Sequence, residues 1–143
     1  MFSPKVIAIL ASGEGSNAEA LWQKAKLCMV SHCAYPLVDN VPAPYSRRIL
    51  LDMLRHHVGF GGLCLSDDMT MGAVWHTGTL EAQAIRALAA GVDLLLVCQG
   101  LDLWENAVSA LAAEAKKNTA FHQRLREAAS RVQLFRAKDL SSP

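Results

Sequence analysis

Four short apolar runs without polar alternation, each followed by an amphipathic stretch, limit what this chain can fold into. They occupy residues 6–11, 27–31, 62–65 and 92–98, the last interrupted only by Asp93. A strand with one wet face alternates apolar and polar residues. A continuous run suits a strand whose parallel sheet is covered by helices on both faces. The expected fold is α/β, built on a parallel sheet of about four β-α units.

The amphipathic stretches carry their own start and stop signals. Ser46 is placed to cap a helix over residues 47–58, with Ile49, Leu50, Met53 and Leu54 on one face and Gly59 as its stop. Thr79 is placed to cap a helix over residues 80–90 that Gly91 ends. A third helix is expected over residues 103–117, burying Ala107, Val108, Leu111 and Ala115. A fourth, after Thr119, carries Phe121, Leu125, Ala128, Val132 and Phe135 at helical spacing, and residues 140–143 read as a frayed tail. Between the second strand and its helix, "YPLVDNVPAPYS" is longer than a connection requires and reads as a binding loop.

Composition narrows the classes of function. At 143 residues the chain is one domain by length, and 52% hydrophobic against 19% charged residues argues against disorder. A net charge of +1 gives no field to hold nucleic acid or an anionic membrane, and Arg124, Arg126, Arg131 and Arg136 read as a solvated helix face. No apolar run is long enough to cross a bilayer, and Met1-Phe2-Ser3-Pro4-Lys5 lacks the order of a signal peptide. Cys28, Cys33, Cys64 and Cys98 lie in or beside apolar runs without a C-x-x-C pair, so they read as buried, reduced thiols. The expectation is a cytoplasmic protein without metal or cofactor.

In repeated β-α units, ligands meet the carboxyl ends of the strands, where loops vary on a rigid sheet. Those ends carry Ser12-Gly13-Glu14-Gly15-Ser16-Asn17, His32, Ser66-Asp67-Asp68 and Gln99. The adjacent carboxylates admit three readings. They could supply a nucleophile or general base on rigid support, or a hard-cation site, for which further oxygen ligands are not evident. The third reading is a cap on the next turn.

A series of motifs then bears on the choice. "MVSHCAYPLVD", "VPAPYSRRILLDMLRHHVGFGG", "LCLSDDMTMGAV" and "EAQAIRALAAGVDLLLVCQ" follow one another in unbroken order. Over roughly residues 27–138 the chain resembles the later half of the barrel domain of glycoside hydrolase family three, most nearly its bacterial β-N-acetylhexosaminidases. The resemblance implies the later half of a TIM barrel, with an open three-layer sheet as the alternative. It also implies a retaining glycosidase acting on an amino-sugar or muropeptide-like cell-wall fragment. The first aspartate of the family's S-D-D motif is the nucleophile, which carries over to Asp67. Asp68 would orient the loop, and His32 and Met71 would line the sugar pocket. For those last two, a satisfied strand-end histidine and a core methionine are the plainer alternatives.

Two family features have no counterpart: the general acid/base histidine of an upstream D-S-H-like motif, and a sugar-holding K-H-F-P-G-H-G strand end. Of the five histidines, His32, His56, His57, His76 and His122, His76 follows Met71 in a loop from which it could reach the site, but the family gives it no such duty. A closed barrel takes eight strands and about 250 residues. The chain alone is therefore expected to be feeble or inactive, and a homodimer is one way to complete eight strands.

The first 26 residues follow another pattern. "VIAILASGEGSNAEALWQKA" resembles the opening strand, loop and helix of phosphoribosylglycinamide formyltransferase. That implies a phosphate held by Gly13, Gly15, Ser16 and Asn17 at a helix start. The remaining catalytic set of that enzyme is absent. The same glycines with Ala18 fit a dinucleotide loop formally, without its acidic residue on a clean second strand. A glycine-rich turn that merely starts a helix is the third reading. The alternative function is thus a small α/β anion-binding or scaffold module.

Overall fold

The computed structural model of the chain describes residues 25–72 and 78–139. The expected strand at residues 6–11, the loop residues Gly13, Gly15, Ser16 and Asn17, His76 and the tail at 140–143 lie outside the described residues.

Strands β1 (Leu27–Val30), β4 (Leu63–Asp68) and β5 (Leu94–Leu96) form a parallel sheet in the order β1-β4-β5. Leu27 pairs with Leu63 and Val30 with Ser66, while Leu65 pairs with Leu94 and the register shifts before Asp68 meets Leu96. The remaining strands, β2 (Ala34–Tyr35) and β3 (Asp39–Pro42), make a small antiparallel hairpin inside the proline-bearing stretch that the sequence presents as plain loop. Pro42 and Pro44 obscure the hairpin in sequence, because proline cannot donate to a ladder and suits only an edge or a strand end.

Helix α1 (Arg48–His57) is wound as a π-helix, with the Val58 amide donating five residues back to Met53 O at 2.9 Å. Ser46 does serve its start: its hydroxyl accepts from the Ile49 amide at 3.1 Å. The wide winding spoils the four-residue apolar face read from a 3.6 period. Leu50 and Leu54 are buried, whereas Met53 is 44% exposed. α2 (Leu80–Ala90) has the predicted ends, with Thr79 Oγ1 accepting from Ala82 N and Gly91 at φ +133° closing it.

The last two helices are α3 (Leu101–Lys117) and α4 (Thr119–Asp139). In α3 only Ala107 is buried, and Val108 is 44% exposed against the expected burial. Leu101 and Trp104 are exposed on the same helix. In α4, Phe121 and Ala128 are buried and Leu125, Val132 and Phe135 half-buried.

The core lies between the sheet and its helices, where Leu50, Leu54, Phe60, Cys64, Met69 and Val92 share one cluster. The opposite face is less covered, with Met29 59% exposed. No helix among the described residues is long and apolar enough to cross a membrane.

At the amino-terminal end of the sheet sits a buried charge cluster. Asp93, its side chain wholly shielded, meets Arg55 at 2.6 Å, Arg124 at 2.7 Å and Arg131 at 3.0 Å. This corrects the reading of α4's arginines as a purely solvated face: Arg124 is turned inward, and its spacing four residues after Ala120 gave no hint of the partner. Arg55 also donates to the carbonyls of Phe60 and Gly62 and lies 5.1 Å over the Phe60 ring.

Candidate active site at the strand ends

β4 runs two residues further than its apolar stretch, so Asp67 and Asp68 belong to the strand itself. Alternation along β4 places Cys64 and Ser66 on the helix-covered face, both fully buried, and assigns Asp67 to the opposite face with Leu63 and Leu65. Where the register shifts, the Ser66 hydroxyl takes over an inter-strand bond, accepting from Leu96 N at 3.0 Å.

The two carboxylates are bound differently. Asp67 Oδ1 accepts from the Asp68 amide at 2.8 Å. Asp68 Oδ1 accepts from the Thr70 amide at 3.0 Å, the Thr70 hydroxyl at 2.7 Å and the Cys98 amide at 3.1 Å. Burial pushes the Asp68 carboxyl upward, but the hydrogen bonds from Thr70 and Cys98 outweigh it and hold the group below the usual carboxylate range. Asp68 is thereby saturated by its own turn and by β5, while Asp67 keeps Oδ2 without a hydrogen bond among the described residues.

The turn after β4 is anchored from three sides. Met69 is 2% exposed and its amide donates to Leu96 O at 2.8 Å, pinning the turn to β5 and to the core. The Asp68 carbonyl accepts from the Met71 amide at 3.1 Å and from His32 Nε2 at 3.0 Å. A carbonyl can only accept, so His32 donates from Nε2, while its Nδ1 is buried without a hydrogen-bond partner among the described residues.

The structure thus brings His32, Asp67, Asp68 and Met71 to one corner, with Met71 half-exposed at the rim. Thr70, Met69 and the Cys98 amide complete that corner and were not singled out from sequence. The D-x-T spacing of Asp68 and Thr70 is a side-chain turn signal that could have marked the first of them.

Other side chains fall elsewhere. His56 and His57 end α1, which leads into the start of β4, so they sit at the other end of the sheet from Asp67. His122 is exposed near the start of α4. Among the described residues no three His, Cys, Asp or Glu side chains group as a metal ion would require.

The thiols divide. All four are free, but only Cys64 is buried and Cys28 half-buried, whereas Cys33 and Cys98 are exposed, against the reading of all four as buried. Burial pushes the Cys64 thiol up to about 12 and the Cys28 thiol up to about 11.

Known proteins share both the sequence and the shape. A "Beta-hexosaminidase" of Aromatoleum aromaticum is 48% identical over 75 residues, which cover 52% of this chain and 21% of that protein. The crystal structure of a β-N-acetylhexosaminidase from Beutenbergia cavernae superposes with a TM-score of 0.74 at 30% identity, over 82% of this chain and 35% of that one. A family 3 β-N-acetylglucosaminidase from Paenibacillus shares the fold with a TM-score of 0.78 at 23% identity, over 84% of this chain and 23% of that one. The chain therefore spans about a fifth to a third of the relatives it matches. The glycosyl hydrolase family 3 N-terminal domain matches residues 16–135, beginning inside the stretch that resembles a formyltransferase. With that match running over most of its length, this chain belongs to glycosyl hydrolase family 3, within the N-terminal domain.

Proposed function

We propose that this chain carries the nucleophile side of a retaining β-N-acetylhexosaminidase site, with Asp67 attacking the anomeric carbon of an N-acetylglucosaminide. The observation that carries this reading is the contrast between two neighbouring carboxylates. Asp68 is consumed by Thr70 and Cys98, whereas Asp67, at the end of a strand, has one oxygen uncommitted among the described residues. A carboxylate nucleophile needs that combination of fixed position and a free lone pair. Attack would form an ester between Asp67 and C1 of the sugar and expel the aglycone oxygen. Water would then release the sugar with its configuration retained. His32 would offer Nδ1 as an acceptor toward a sugar hydroxyl or amide, and Met71 an apolar wall.

Protonation of the leaving group falls to a histidine that the family keeps on an upstream loop. Without it the rate falls by about 10²–10⁴. Full turnover then depends on the rest of a barrel, from adjoining sequence or from a second copy of the chain. The natural substrate in this reading is an amino-sugar or muropeptide-like fragment of cell-wall recycling, met in the cytoplasm. A phosphate at Gly13, Gly15, Ser16 and Asn17 remains the alternative for the segment before β1.

The test uses a dinitrophenyl N-acetyl-β-glucosaminide, whose leaving group departs without an acid. The expected result is release of dinitrophenol and a glycosyl ester located on Asp67 by peptide mass spectrometry, both lost in Asp67→Asn. Release that survives Asp67→Asn, or no ester even with this substrate, would refute the proposal.

A further inference from the structure

Beside Asp67, β4 carries one residue more than its neighbour β5. Leu65 pairs with Leu94, so an unbroken parallel register would set Asp67 opposite Leu96, yet Leu96 pairs with Asp68. Against β1 the same stretch stays regular, with Leu65 opposite Met29 and Ser66 opposite Val30. The irregularity is confined to the edge shared with β5. It lies between Leu65 and Asp68 and displaces Asp67 from its place in that ladder.

Side chains bridge the gap. The Ser66 hydroxyl accepts from Leu96 N at 3.0 Å, and Leu96 O accepts from Met69 N at 2.8 Å. Leu96 is therefore held at both main-chain groups, by the residue before Asp67 and by the second residue after it. The Cys98 amide is likewise taken by a side chain, Asp68 Oδ1, at 3.1 Å. Ser66 is fully buried, so water cannot replace its hydroxyl. An alanine there leaves the Leu96 amide without that acceptor inside the sheet, which is costly. The repair nearest to hand is the unbroken register, which returns Asp67 to the ladder opposite Leu96.

We propose that Ser66 is a positioning residue for the nucleophile: its bond to Leu96 maintains the extra residue in β4 and so frees Asp67 from β5 to meet a substrate. This deepens the glycosidase reading and rests on it. Thr70 and Cys98 fix the turn that follows the nucleophile, and Ser66 fixes the strand that precedes it.

The experiment follows the burst of dinitrophenol from the full chain with dinitrophenyl N-acetyl-β-glucosaminide over a range of substrate concentrations. Ser66→Ala is expected to slow the saturating burst about tenfold while half-saturation stays unchanged. Ser66→Thr keeps the hydroxyl and is expected to recover most of the rate. Asn118→Ala removes the side-chain cap on the Phe121 amide between α3 and α4, a comparable loss of stability away from the strand ends, and is expected to keep the wild-type burst. Hydrogen exchange at the Leu96 amide is expected to quicken in Ser66→Ala and not in Asn118→Ala, a comparison that holds even where the buried seat rejects the threonine methyl. No ester in wild type would refute the nucleophile reading and this one with it. A wild-type ester whose burst is equal in Ser66→Ala, or slowed as much by Asn118→Ala, would overturn the role of Ser66 alone. So would unchanged exchange at Leu96 in Ser66→Ala.

Discussion

His32 on the loop after β1 donates from Nε2 to the main-chain carbonyl of Asp68 at the end of β4, 3.0 Å away and 36 residues later in sequence. One side chain thus spans the two strand ends and settles the orientation of the peptide that follows Asp68. Asp68 O is also held by the Met71 amide, so the carbonyl keeps a partner when the imidazole is removed.

His32→Phe is accordingly expected to cost only about 1 kcal/mol of stability while slowing formation of the Asp67 ester by about tenfold, since a small misplacement of a nucleophile is costly. Burst kinetics with the activated substrate, run beside a thermal melt, separates the two effects. Equal loss in both measurements would reduce His32 to a packing residue.

Asp93→Asn is expected to be among the most damaging changes in the chain, because it strands three arginines around a neutral amide. Breaking a buried pair by removing one partner costs about 3–5 kcal/mol. Denaturant unfolding of this variant beside Glu105→Gln, an exposed acidic position on α3, checks the claim.

Acid should unfold the protein partly through Asp68. Its carboxyl is held below its ordinary value by Thr70 and Cys98, so the folded state binds that proton less readily than the unfolded chain. The stabilisation is present above the unfolded value, about 3.9, and disappears as pH falls through the lower folded value. Urea midpoints measured down through this window should decline more steeply for wild type than for Thr70→Val, which removes the hydroxyl donor to Asp68.

Alkali acts through the thiols in the opposite sense. Cys28 and Cys64, raised from 9.0 to about 11 and about 12, favour the folded state fully below pH 9 and lose that contribution as pH climbs through the folded values. At neutral pH an alkylating reagent should label the exposed Cys33 and Cys98 in the native protein and reach Cys64 only on unfolding. Rapid native labelling of Cys64 would contradict its burial.

Gly62→Ala tests how closely β4 enters beside β1. A Cβ at Gly62 would collide with the carbonyl oxygen of Lys26 and lie 2.7 Å from both the Lys26 carbonyl carbon and Phe60 Cζ. The same Lys26 oxygen accepts the first bond from Leu63 at 2.9 Å. Backbone cannot step aside as a flexible side chain does, so a loss of about 1–3 kcal/mol is expected by calorimetry.

The parts of the fold that were legible in the sequence are those governed by local rules. Thr79, Gly91 and the apolar runs at β1, β4 and β5 mark their elements because capping and strand burial depend on neighbours in sequence. The π-winding of α1 was not legible, since Ile49, Leu50, Met53 and Leu54 satisfy an α-helical period that the helix does not adopt. Arg124 was misread because its partner, Asp93, is 31 residues away, and nothing near either residue signals the pairing. At the candidate site, Asp67 and Asp68 stood out by type and position. What distinguishes them, the Thr70 and Cys98 donors to Asp68 alone, appears only once β5 is laid beside β4.

Arg55 has a consequence for the chain as a material object. Its guanidinium reaches Phe60 O, Gly62 O and Asp93 at 2.6–2.7 Å from a seat on α1, so it clasps both sides of the exposed Gly59 and Gly61. A protease that nicks the backbone at that glycine turn would leave two pieces still latched together, migrating as one body in a native gel and parting only in denaturant.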